Sequence, residues 1–185
     1  MLDERVQICC WTFLLQLVTN PSFDQSLLLH KLPSFSSRNQ SSSSNVCILD
    51  IAFARWSMED RCFNEISTFL ISATTSNFEY VLINWSKIAE IIYSVVIGSA
   101  PDYLCKVRYL KFLEKLTLAM KINASSSPIL DSCRDEWWLN LIRDVLAPCM
   151  KGGKSDGSIR SMACDIICNL TDASFSHFSV RLNCL

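Results

Sequence analysis

Apolar residues recur along this chain at helical spacing, and three stretches share one template that starts at an aspartate. Asp3 is followed by Val6, Cys10, Phe13, Leu14 and Leu17. Asp102 is followed by Cys105, Tyr109, Phe112, Leu113 and Leu116, and Asp156 by Ile159, Ala163, Ile166, Ile167 and Leu170. The offsets are 3, 7, 10, 11 and 14 in each case. A period near 3.6 places these positions on one face of a helix, with an aspartate at its start. A weaker copy begins at Asp60, with Phe63, Ser67, Leu70 and Ile71, and breaks down at Thr74.

Self-similar helices of this kind predict stacked helical hairpins, an all-α fold of the α-solenoid type with about four units. The pattern predicts helices over about 3–18, 24–31, 47–56, 59–73, 78–97, 103–121, 134–150 and 158–170. The 78–97 stretch is apolar on more than one face and is expected to be one long helix held between neighbours. Residues 33–45 are rich in Pro, Ser, Asn and Gln and end in Ser41-Ser42-Ser43-Ser44. Such a tract buries too little apolar surface to offset chain entropy, so a disordered loop is expected there. The resulting organisation is a partial repeat over 1–32, the loop over 33–45, helical repeats over 46–170 and a tail over 171–185. Neither end carries an obvious polar cap. A fragment or short isoform of a longer array is therefore expected, or a chain capped by its own residues 171–185.

Composition sharpens this picture in two places. Half of the 185 residues are hydrophobic, with only four Gly and five Pro, which disfavours a turn-rich β fold. The formal charge is −1, so no global attraction to nucleic acid or anionic lipid is expected. No run reaches the roughly 18 apolar residues of a membrane span, and Met1-Leu2-Asp3-Glu4-Arg5 lacks the basic start of a secretory signal. The ten cysteines are read as reduced thiols of a cytoplasmic or nuclear protein. Cys10 and Cys105 stand at template positions, where they are expected to act as small buried apolar residues. The Asn-x-Ser/Thr matches at Asn39, Asn84, Asn123 and Asn169 lose meaning as glycosylation sites in that setting.

The segment from Trp137 to Leu170, WWLNLIRDVLAPCMKGGKSDGSIRSMACDIICNL, resembles a HEAT repeat. Ile142, Leu146 and Pro148 fall near the end of its first helix. A Gly-bearing turn and Asp156 follow, and Ile159-Arg160 with Ala163 opens its second helix. The resemblance extends more loosely over Lys87 to Met120 and is poor between Asn20 and Arg55. Asp156 lies closer to Arg160 than is usual in that family. Val107-Arg108 offers the family's Val-Arg pair where the template puts Cys105-Lys106. Within the class, the segment looks most like the HEAT-repeat-containing protein 6 family. The resemblance implies a superhelix of paired helices used for protein–protein contact, without catalytic residues.

No constellation in the chain advertises catalysis, a cofactor or a metal. Gly153-Lys154-Ser155 has the end of a phosphate-binding loop, but Pro148 stands where its first Gly belongs and a helix stands where its strand belongs. Cys164 and Cys168 lie one turn apart near His177, yet there is no Cys-x-x-Cys knuckle, and they are expected to be core or partly buried thiols. His30 and His177, the only histidines, have no nucleophile turn beside them. The expected role is a non-enzymatic scaffold or adaptor that holds a protein partner on its concave face.

Offsets 9 and 13 from the aspartate are polar in the three good copies: Thr12 and Gln16, Lys111 and Lys115, Asp165 and Asn169. They form a ridge along the second helices, and Lys111, Lys115, Asp165 and Asn169 are the expected partner-binding residues. The Asp60 copy has Phe69 and Ala73 there instead. The alternative is a nucleic-acid-associated solenoid using the basic helix 103–121, with Lys106, Arg108, Lys111, Lys115 and Lys121.

Overall fold

A computed structural model describes residues 3–32, 46–57, 60–96, 103–123, 139–151 and 157–172. These residues are helical, without a β-strand among them; the one extended pairing is an isolated antiparallel bridge between Leu32 and Val46. The chain divides into two compact units, Met1–Ala73 and Thr74–Leu185. This boundary lies inside the 46–170 segment and is not marked by any composition shift. The Ser-rich tract 33–45, the turn Gly153-Lys154-Ser155, and the tail with His177 lie outside the described residues.

In the first unit, α1 (Glu4–Thr19) is started by Asp3, whose carboxylate accepts from the Arg5 N–H at 3.0 Å. It ends at Asn20, whose extended backbone (ψ 119°) is what the following Pro21 requires. A 3₁₀ turn, Gln25–Leu29, is tied back to α1 by Gln25 Nε2 donating to the Val18 carbonyl at 2.8 Å. It sends Leu28, fully buried, into the core. The carboxylate of Asp24 starts this turn and is held below its ordinary pKa by its hydrogen bonds from Ser26. Next, α2 (Ile48–Ala54) opens on a capping box built with sulfur. The Cys47 N–H donates to Asp50 at 2.9 Å, and the Asp50 N–H donates to Cys47 Sγ at 3.4 Å.

The last helix of this unit, α3 (Phe63–Thr74), carries the Asp60 copy. Asp60 accepts from the Cys62 N–H at 2.8 Å and from both Nε and Nη2 of Arg55, and Arg55 also donates to Gln7 of α1 at 2.8 Å. Inside, Trp56 donates through Nε1 to Ser67 Oγ at 2.9 Å, and Ser67 donates to the Phe63 carbonyl at 2.6 Å. Trp11 and Phe69 complete the core, with ring centroids 5.6 Å apart. Thr74, where the apolar template fails, is nevertheless buried.

In the second unit the expected single helix 78–97 is two helices, α4 (Phe78–Ile83) and α5 (Trp85–Val96). Asn84 is the reason. Its carboxamide donates to the Tyr80 carbonyl at 2.9 Å, while its own carbonyl receives the first N–H groups of α5, from Lys87 and Ile88. An Asn that bonds back to the helix behind it competes with continuing that helix. Next comes α6 (Tyr103–Asn123), with Tyr109, Phe112, Leu113 and Leu116 buried along it. Leu139 to Leu141 lead into a π-turn, Ile142–Leu146, which runs into α7 (Ala147–Met150). Pro148 accounts for that irregularity: it has no N–H for the Asp144 carbonyl, and the Ala147 N–H reaches back five residues to Ile142. The last helix, α8 (Gly157–Asp172), packs most extensively on α6 and also meets α7 and the π-turn.

Candidate protein-binding surfaces

Four helices carry the template, and burial separates one of them from the rest. On α6, Tyr109, Phe112, Leu113 and Leu116 are fully buried; Cys105 is half-buried. On α8, Ile159, Ala163, Ile166 and Leu170 are buried. On α3, Phe63, Ser67 and Leu70 are buried. On α1, however, Val6 is 45% and Phe13 58% exposed, and Cys10 is exposed as well. The expectation that these three residues, and Cys10 in particular, serve as core is therefore corrected.

The reason is that α1 has two apolar stripes. Residues follow one another about 100° apart around a helix. Trp11 and Val18 thus share one side and are buried, whereas Val6, Cys10 and Phe13 share another and face outward. Leu14 lies at the border, and Leu17 within the outward stripe near the end of α1; both are half-buried. Arg5, Val6, Cys9, Cys10 and Phe13 border a shallow dip between side chains on this outer face of α1.

The expected ridge residues differ in burial. Lys111, Lys115 and Asn169 are half-buried and Asp165 is exposed. Asn169 Nδ2 donates to the buried Thr117 Oγ1 at 3.4 Å, on a different side of α6 from Lys111 and Lys115. Lys111 is held by Glu114 one turn on, at 2.7 and 2.9 Å, which removes part of the basic character of α6. Thr12 and Gln16 are exposed on α1. Phe69 and Ala73 of α3 are fully buried, so the α3 copy has core at these offsets and contributes no ridge.

The perturbed titrations have local causes, burial for Tyr109 and Cys62 and hydrogen bonds for Asp24 and Asp144. Burial, and then Cys105, push the Tyr109 phenol far above its ordinary value. Burial, and then Asp60, push the Cys62 thiol up. Arg143 holds the half-buried Asp144 carboxylate down. Cys164 and Cys168 are exposed on α8, which corrects the expectation of core or partly buried thiols. Among the described residues no group of three or more His, Cys, Asp or Glu is placed to hold a metal ion, and no helix is long and apolar enough to cross a membrane. No protein family, curated protein or solved structure matches this chain.

Sequence reasoning missed the outward stripe on α1. The signal was present: Trp11, Leu14, Leu15 and Val18 form a second helical stripe beside the template.

Proposed function

We propose that this chain is a non-enzymatic scaffold of HEAT-like helical hairpins that holds a protein partner, with Lys111 and Lys115 of α6 and Asp165 and Asn169 of α8 at the contact. The observation that carries this reading is the extensive packing of α8 on α6. It puts a half-buried basic pair and an acidic-amide pair on adjoining helices, with their apolar faces spent on each other. A surface of both charge signs favours a folded protein partner over a phosphate backbone, which rewards uninterrupted positive charge. The Lys111–Glu114 pair points the same way. The resemblance of residues 137–170 to a HEAT repeat, and at the finest level to the HEAT-repeat-containing protein 6 family, agrees with this reading.

The test is affinity capture from native lysate, with and without nuclease, using the wild-type chain and the double variant Lys111→Glu/Lys115→Glu. A stoichiometric protein that survives nuclease and is lost from the double variant is the expected result. Helix content stays unchanged, because reversing one half-exposed ion pair costs no more than about 1 kcal/mol. Equal retention by the variant removes these lysines from the contact. Recovery that collapses with nuclease and falls steeply with salt points instead to a nucleic-acid-associated solenoid using the basic helix.

A further inference from the structure

We infer that Cys164 and Cys168 of α8 form a two-thiolate site for Cu(I), a soft monovalent metal ion. The site lies on the outer side of α8 and does not rest on the role assigned to Lys111, Lys115, Asp165 and Asn169.

The placement comes first. Ile159, Ala163, Ile166 and Leu170 take the inner side of α8 and are buried. Cys164 and Cys168 are both exposed on the opposite side. Four residues separate them, so the two thiols stand one turn apart along the helix and about 40° apart around it. Cys9 and Cys10 are exposed too, but as chain neighbours in α1 they diverge by about 100°. Among the described cysteines, Cys164 and Cys168 are the exposed pair that shares one helix face.

The spacing then selects the chemistry. Residues one turn apart on a helix hold their Cβ atoms about 5–6 Å apart. A disulfide needs about 3.5–4.5 Å between those atoms, so joining the two sulfurs directly strains the helix. Two sulfurs that each lie about 2.3 Å from one shared metal ion bridge the wider gap. The helix therefore disfavours a bond between the two thiols and leaves them spaced for a common ion.

The number of ligands selects the ion. Thiolate sulfur is a soft donor that favours Cu(I) and Zn(II). Structural zinc takes four ligands, and among the described residues no third His, Cys, Asp or Glu joins the pair. Cu(I), a closed-shell ion of single charge, is satisfied by two thiolates on opposite sides of it. Binding releases one proton from each thiol and leaves the copper as Cu(I), so no oxidant or reductant takes part. Arg160 and Asp165 stand on either flank of the pair and their charges offset each other, so sulfur rather than net charge sets the preference.

The test is an oxygen-free titration of the reduced full chain with Cu(I) buffered by bicinchoninate, whose coloured copper complex fades as the protein takes the metal. The expected result is one tightly held equivalent that Cys164→Ser or Cys168→Ser alone weakens roughly 10²-fold, the gain that linking two ligands in one molecule provides. The double variant should be no weaker than either single one, because a lone thiol does not chelate. Cys9→Ser/Cys10→Ser should leave that equivalent in place. Ser161 is exposed one turn before Cys164, so Ser161→Cys in the Cys168→Ser background should restore it. All these positions face outward, so helix content should hold in every variant. Retention of the equivalent in both single variants, its loss in Cys9→Ser/Cys10→Ser, or no restoration by Ser161→Cys overturns the inference. So does a titration in which the wild type takes up one Zn(II) per two chains and holds Cu(I) no more tightly than the single variants, which would make the pair half of a four-thiolate site between two copies.

Discussion

Phe13 and Phe112 stand at the same offset from an aspartate, ten residues on, in helices α1 and α6. Phe112 is fully buried and Phe13 is 58% exposed. The spacing around them is the same, so spacing alone does not choose what goes inside. On α6 nearly every apolar residue beyond Arg108 finds cover, and the template positions are included. On α1 two stripes compete for one covered side. The stripe with Trp11 occupies it, because the indole carries a large apolar area and meets Phe69 at 5.6 Å. The template stripe is left facing outward. A repeated pattern thus marks equivalent positions, while the composition of each helix decides whether they are core or surface.

The comparison can be broken most sharply at the two phenylalanines. In the full chain, Phe112→Ala should cost about 3–5 kcal/mol by denaturant unfolding, from lost burial and the cavity left behind. Phe13→Ala should stay within about 0.5 kcal/mol, as surface substitutions usually do. Comparable costs would erase the distinction between α1 and α6. A smaller effect sharpens it at offset 7, occupied by Cys10, Ser67, Tyr109 and Ala163 on the four helices. Ser67 accepts the buried Trp56 Nε1–H. Ser67→Ala should therefore cost about 1–3 kcal/mol by leaving that donor unsatisfied, visible also in the near-ultraviolet signal of Trp56. Cys10→Ala should be close to neutral.

Much of the helical layout was legible in the sequence, because a 3.6-residue period over a dozen positions leaves little alternative. The start of α1 was legible, and Asp3 caps it; α3 begins at Phe63 rather than at Glu59, because Asp60 first holds a turn through the Cys62 N–H. The break at Asn84 was not, since it depends on a side chain turning back to Tyr80, a choice that a hydrophobic pattern does not record. The π-turn follows from Pro148, whose effect was visible in principle. Lys111 and Lys115 stand on α6 and Asp165 and Asn169 on α8, two helices that pack on each other. The pairing of Lys111 with Glu114, three residues on in the same helix, was legible too; the burial of Phe69 and Ala73 needed the packing itself. The outward stripe of α1 was hidden by reading one stripe per helix.

Thiol reactivity reports most directly on that stripe, because it needs no substitution. The native chain would be treated with iodoacetamide and each cysteine followed by peptide-resolved mass spectrometry. Cys9 and Cys10 are exposed on α1, whereas Cys47, Cys62 and Cys149 are buried, and burial raises the Cys62 pKa further. The account predicts that Cys9 and Cys10 react on the order of 10² times faster than the three buried thiols, and that unfolding removes the difference. Protection of Cys10 equal to that of Cys149 would contradict it, and would place the α1 template stripe in the core after all.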